Sequence, residues 1–250
     1  MTKFSCPSCF SKLYFSINYA QCTNCSERYK LINESIPIFY DGDETSTESR
    51  GIMSSLFESP YFYKKVVQFK RLISPDKFLT EKNFYLNKSL LNVGCGSSIN
   101  AEHLEYEITD LLYFAGVDVS RSFIVSASSS YSIDNSEFAI ASAAKLPYED
   151  SNFDIVILPF VLHHLPFDIS FALQEAFRVS KQYVVIFDHI LHEEKTIKNS
   201  IQKFYLTNFD GGFNYLTEAE WGGKLNCYNV ISSLKTGALF KHVYKLVIKK

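Results

Sequence analysis

The sequence predicts a mixed α/β protein, a mostly parallel sheet covered by helices and preceded by a small separate ribbon. Two observations predict it. From about residue 89 to residue 190, short apolar runs of β character alternate with stretches of helical spacing. Strands alternating with helices imply parallel pairing through crossovers. Ahead of them stand Cys6, Cys9, Cys22 and Cys25, two CxxC pairs separated by twelve residues, which use four of the six cysteines. The chain has 250 residues, 46% of them hydrophobic, enough for a small module and one full-sized domain.

The ribbon comes first. Pro7 and Asn24 sit inside the two CxxC pairs, where turn-forming residues belong. Two such knuckles can set four thiolates tetrahedrally around one Zn²⁺ and leave no open position, so the predicted zinc is structural. The rival reading is two disulfides. No apolar leader precedes the array, which predicts a cytoplasmic chain with reduced thiols. Short strands are expected at Tyr29–Ile32 and Ile36–Phe39. Residues 1–40 are assigned to the ribbon, 41–59 (polar and acidic at their start) to a linker, and 60–250 to the main domain.

In the main domain, Phe62, Val66, Phe69, Leu72 and Ile73 give residues 54–73 a helical spacing. Strands are expected at 89–93, 113–119, 137–141, 153–158 and 183–187, with helices at 121–130 and 168–180. Leu104, Ile108, Leu111 and Leu112 predict a further helix behind the first strand. Thr217-Glu218-Ala219-Glu220 reads as a capping box that opens a helix carrying Trp221 and Leu225. A terminal hairpin is expected, with strands 227–233 and 240–248 around Lys235-Thr236-Gly237.

The first of these strands runs directly into Gly94-Cys95-Gly96. Glycine permits a tight turn and close approach of a ligand to the backbone. Asp118 follows 22 residues after Gly96, at the end of the next strand, where a carboxylate can accept hydrogen bonds from ribose hydroxyls. A third glycine is absent: Ser97, Ser98 and Ile99 follow. The pattern therefore points away from a pyrophosphate and toward a nucleoside with a charged tail, S-adenosylmethionine (SAM).

Four segments, in order, carry a resemblance: Gly94–Gly96, Gly116-Val117-Asp118-Val119-Ser120, Leu146–Asp154 and Phe160-Val161-Leu162-His163-His164-Leu165. Over about residues 87–190 the chain resembles class I SAM-dependent methyltransferases of the ubiquinone/menaquinone-biosynthesis-like group. The resemblance implies a Rossmann-like seven-stranded sheet whose last strand is antiparallel. It implies that Gly94, Cys95 and Gly96 line the methionine moiety, that Asp118 binds the ribose and that Val119 packs on the adenine. Ser142 and Ala143 would close over the adenine edge, and Pro159 with Phe160 would face the methyl donor. Asn92 and Ser142 stand where the family often has acids, and each exchanges a charge-assisted hydrogen bond for a neutral one.

Catalytic candidates are His163 and His164, just past the fourth parallel strand, since an oxygen acceptor needs a proton removed near pH 7. The same pair can instead simply close the loop. Asp188, His189 and His192 are expected to follow the fifth strand on the same rim. Residues 191–216, with Phe204, Tyr205, Phe209, Phe213 and Tyr215 and a Gly211-Gly212 hinge, read either as core or as a lid over the acceptor. The leading function is methyl transfer to a small-molecule acceptor: a sugar, a lipid-linked compound or a secondary metabolite. Residues 6–39 also resemble the zinc ribbons of some ribosomal-RNA methyltransferases and of a small activator subunit of transfer-RNA and protein methyltransferases. That makes RNA or partner contact the alternative. A net charge of −2 argues against RNA. A non-catalytic methyltransferase-like binding protein is the third reading. No apolar run reaches the length of a membrane span.

Overall fold

The computed structural model describes residues 2–40, 42, 83–96, 111–130, 135–192, 197–238 and 241–250. The ribbon is an antiparallel sheet in sequential order: β1 (Leu13–Phe15), β2 (Tyr19–Cys22), β3 (Arg28–Ile32) and β4 (Ile36–Pro37). Asn33 and Glu34, at φ 49° and 61°, form the tight β3–β4 connection. The expected strand to Phe39 stops at Pro37 for a specific reason. The amides of Phe39 and Tyr40 both turn away to the carbonyl of Ile140, at 2.8 and 3.2 Å, in the main domain.

The main sheet is built from β5 (Ser89–Val93), β6 (Tyr113–Asp118), β7 (Ser136–Ile140), β8 (Phe153–Pro159), β9 (Ser180–Leu191), β10 (Leu216–Thr217), β11 (Asn229–Ala238) and β12 (Lys241–Lys249). Its order is β11-β12-β9-β8-β5-β6-β7, with the short β10 pairing β9. Strands β5 to β9 are mutually parallel, whereas β12 runs antiparallel to both β9 and β11. The helices are α1 (Arg121–Ser130), α2 (Ile169–Val179), α3 (Ile197–Tyr205) and α4 (Glu218–Leu225). All of β5 is buried, as a parallel strand covered on both faces must be. Leu91, Val93, Val156 and Leu158 pack with Leu173 and Ala176 of α2 on one face. Leu90, Phe114, Ile155 and Ile157 pack with Ile124 and Ala127 of α1 on the other.

Two expected boundaries shift. β9 runs to Leu191 rather than 187, because it has a partner on each side: β12 down to Val243↔His189, and β10 at Ile190 and Leu191. Asp188 and His189 are therefore buried strand residues instead of loop residues. At the C-terminus, Lys235-Thr236-Gly237 is part of β11, since Thr236 pairs Val243 and Gly237 pairs His242; the strand starts at Asn229. The helices expected at 54–73 and around Leu104 and Ile108, and most of the 41–59 linker, lie outside the described residues. Leu111 and Leu112 are non-helical, and Leu112 is 60% exposed. No helix among the described residues is long and apolar enough to cross a membrane.

Helix ends follow local chemistry. The Thr217/Glu220 capping box is present, with each side chain bonded to the other's backbone N–H. At the start of α2, Asp168 accepts from Ser170 N at 2.8 Å and from Lys224 Nζ at 2.7 Å. Lys224 is the main cause holding the Asp168 carboxyl below its ordinary range, with the Ser170 amide next. Asp168→Ala should cost about 1 kcal/mol. A carboxyl lowered by folding stabilises the protein above its unfolded pKa, and that contribution is lost as pH falls through the folded value. Urea unfolding should thus separate the variant from wild type at pH 7 and progressively less in strong acid.

Candidate active site and metal centre

The loops that leave the C-terminal ends of β5, β6, β7 and β8 meet on one rim. Gly94 and Gly96 take φ of 69° and 55°. A Cβ on Gly94 would lie 2.4 Å from Val161 Cγ2, so both conformation and space demand glycine there. Gly94 and Cys95 donate to the Val117 carbonyl at 2.8 and 3.0 Å, tying the turn to β6. Asp118 completes the tie: Oδ2 accepts from Gly96 N at 2.8 Å and Oδ1 from Ser120 N at 2.9 Å. Its carbonyl accepts from Ala141 N at 3.0 Å, which brings the β7 loop to the same place. In that loop, Ser142 accepts from Ala144 N and Lys145 N in a tight turn, and Ala143 is buried. Val119 is half-buried on the rim. Pro159 ends β8, and Phe160, at φ 53°, donates its amide to Phe187 O at 2.7 Å.

Asn92 is fully buried in β5 between Gly116 and Ile157, and neither atom of its amide has a hydrogen-bond partner among the described residues. An unsatisfied buried amide is costly. Together with the glycine turn and the acid of Asp118, it is the donor and acceptor set that the polar tail and ribose of a nucleoside cofactor require. Gly116 serves packing: a Cβ there would sit 2.8 Å from Phe138 and 3.0 Å from Cys95 Sγ.

His163 and His164 lie in a single 3-10 turn, Leu162–His164, after β8. His163 is 1% exposed, and its Nδ1 is hydrogen-bonded to Asp188 Oδ1. Asp188 also accepts from the amides of His163, at 3.2 Å, and of His189, at 2.6 Å. The His163 ring lies 4.0 Å from that of His164, 4.8 Å from that of His189 and 5.3 Å from that of Tyr215, on which it stacks. His164 is half-buried. The His163–Asp188 pairing has no signature in the sequence beyond two polar residues ending an apolar strand.

The 206–215 segment is fastened to this turn. Phe213 N and Asn214 N donate to His163 O at 2.6 and 3.0 Å, and Asn214 Nδ2 donates to Leu165 O at 2.6 Å. Gly211, expected to be part of a hinge, is the left-handed cap of the Leu206–Asp210 π turn. Gly212 permits close approach: a Cβ would lie 2.7 Å from His163 Cδ2. Core and cover readings of the aromatics divide by residue. Tyr215 is buried, while Phe204, Tyr205 and Phe213 are exposed. Gln202 of α3 is buried instead, donating to Ile190 O and accepting from His192 N.

In the ribbon, the sulfurs of Cys6, Cys9, Cys22 and Cys25 all lie within 4.8 Å of one another, and none is disulfide-bonded. Cys6–Cys25 and Cys9–Cys22 are 3.6 and 3.4 Å apart. A tetrahedron with Zn–S of ~2.3 Å has edges of about 3.8 Å, so the donor set fits zinc. Asn24 N and Cys25 N point at Cys22 Sγ, at 3.3 and 3.4 Å. Hydrogen bonds from Ser11 lower the Cys9 thiol to about 6. Cys95, buried in the glycine turn, and Cys227, exposed after α4, are not disulfide-bonded.

Residues 91–187 match the family model described as a methyltransferase domain. Residues 91–187 are thus a methyltransferase domain. Among curated proteins none matches the sequence. Solved structures share the fold. A SAM-dependent methyltransferase from Aquifex aeolicus is 20% identical, with a TM-score of 0.56 over 76% of this chain and 98% of that one. A chain from the complex between the Haloferax volcanii Trm112 methyltransferase activator and a methyltransferase is 13% identical, with a TM-score of 0.58 over 74% of this chain and 93% of that one. Magnesium protoporphyrin IX methyltransferase from Synechocystis, with bound SAH, is 16% identical, with a TM-score of 0.52 over 85% and 90%. At these identities the likeness is one of fold.

Proposed function

We propose that this methyltransferase acts on a small-molecule acceptor and that its ribbon holds one structural zinc ion. The observation that carries the cofactor half is the junction of Gly96 N, Asp118 and Ala141 N, which aligns three rim loops. Asn92, Gly94, Cys95 and Gly96 would hold the methionine moiety and Asp118 the ribose. Val119, Ser142 and Ala143 would enclose the adenine, and Pro159 would face the donor. When bound, SAM supplies a methyl group on a sulfonium. The protein's part is then to orient the acceptor in line and remove its proton. His163, His164 and the 206–215 segment would line the acceptor side. The bonds from Phe213 and Asn214, with the close approach of Gly212 to His163, make that side close-fitting, which favours a small acceptor over a folded RNA. Labelled SAM incubated with a small-molecule extract should yield a methylated product. Salt-sensitive retention of RNA, with methyl incorporated into it, would overturn the acceptor assignment, and absence of SAM binding would overturn catalysis.

Two measurements test the sites singly. Asp118→Asn keeps shape but removes the charge that ribose hydroxyls would meet, so SAM binding should weaken by about 1–3 kcal/mol. Calorimetry showing an unchanged Kd would remove Asp118 from the site. Metal analysis should give about one zinc per chain, with a sulfur shell near 2.3 Å by X-ray absorption. A stoichiometry near zero in protein purified without chelator would refute the ribbon assignment.

A further inference from the structure

The ribbon is bonded to the loop that the proposed cofactor site needs. Residues 141–148 leave β7, carry Ser142 and Ala143, and end at Tyr148. At the loop's start, Phe39 N and Tyr40 N donate to Ile140 O, and Ile38 bridges Ile140 in parallel. At its end, Phe4 bridges Tyr148, their rings stacked at 5.4 Å, and Ser5 N donates to Pro147 O at 2.8 Å. Between the two, Lys145 Nζ reaches Ser8 Oγ at 3.4 Å. Phe10 covers the Arg178 guanidinium at 4.2 Å. That guanidinium donates to the carbonyls of Leu146, at 3.1 Å, and Tyr148, at 2.7 Å.

These contacts come from the metal knuckle itself. Ser5 precedes Cys6, Ser8 lies between Cys6 and Cys9, and Phe10 follows Cys9 at φ 56°. The second clamp reaches the knuckle as well: Tyr29 OH lies 3.1 Å from Cys6 Sγ, and the Tyr29 ring packs on Phe39 at 4.9 Å. A segment this short has little core of its own, so its conformation depends on the metal. Losing the knuckle geometry would release Ser5, Ser8 and Phe10 together, and with them the loop.

We infer that the ribbon is a positioning element of the cofactor site, so that zinc occupancy and SAM affinity are thermodynamically coupled through residues 141–148. This rests on the proposed assignments of zinc to the ribbon and SAM to the rim. Coupling is reciprocal: whatever factor zinc adds to SAM affinity, SAM adds to zinc affinity.

The test uses the full chain. SAM titrations would be run on zinc-loaded wild type, on protein stripped by a chelator, and on zinc-loaded Phe10→Ala. Phe10 is 38% exposed, so its truncation leaves a folded domain to compare, and it is not a metal ligand. Ile17→Ala, at the 69% exposed tip of the β1–β2 hairpin, serves as control. Stripping should raise the SAM Kd by about fivefold to a hundredfold, the usual range of such coupling. Phe10→Ala should raise it by about threefold or more with zinc retained, and Ile17→Ala should not change it. Amide exchange at Leu146 and Tyr148 should quicken in both affected samples, and saturating SAM should slow zinc loss to the chelator. If stripping unfolds the domain, Phe10→Ala decides. SAM binding within twofold of wild type in both altered samples would overturn the coupling alone. A zinc-loaded wild type that does not bind SAM would overturn the rim assignment and the coupling with it, and a chain without zinc would do the same through the ribbon.

Discussion

Asp188→Ala is expected to destabilise the protein by about 3–5 kcal/mol, the loss typical of breaking a buried pair by removing one partner. Asp188 and His163 are each about 1% exposed. The carboxylate serves three donors: His163 Nδ1, His163 N and His189 N. Removing it takes an acceptor from two buried backbone amides and a buried imidazole nitrogen, where water cannot replace it. The loss should exceed that of Asp188→Asn, whose amide oxygen can still accept from at least one backbone donor. Urea unfolding monitored by fluorescence would measure it. A change below about 1 kcal/mol for the alanine variant would show that the pair is not holding the turn after β8 against β9.

What the sequence made legible follows from how each element is buried. Parallel strands covered on both faces read as apolar runs, which is why β5 and β8 stand within a residue of their expected positions. The CxxC spacing and the glycine turn with Asp118 were legible because their chemistry constrains residue type at a fixed interval. The end of β9 was not, because Asp188 and His189 are polar residues kept in a strand by a hydrogen-bonded cluster, and apolar pattern is blind to that. Nor was the hairpin turn: Lys235-Thr236-Gly237 has turn-like composition but cross-strand partners in β12. The docking of the ribbon was invisible for a related reason. It rests largely on backbone donors, Ser5 N, Phe39 N and Tyr40 N, and a backbone amide carries no residue signature.

His164→Ala is expected to lower methyl-transfer turnover by roughly 10²–10⁴-fold while leaving the Kd for SAM unchanged, the effect of removing a general base. The two histidines have different surroundings, which makes the prediction specific. His163 is bound to Asp188 through its ring, receives Phe213 N and Asn214 N at its carbonyl, and is stacked under Tyr215. Its truncation should show first as lost stability, much as for Asp188→Ala. His164 is half-buried in the same turn, three residues beyond Val161, whose side chain packs over Gly94. It is therefore the better placed of the two to reach an acceptor held at the rim. If His164 only packs the turn, His164→Ala should lower the unfolding free energy while turnover per folded molecule stays that of wild type. That outcome would leave proton removal to another group or to an acceptor that needs none.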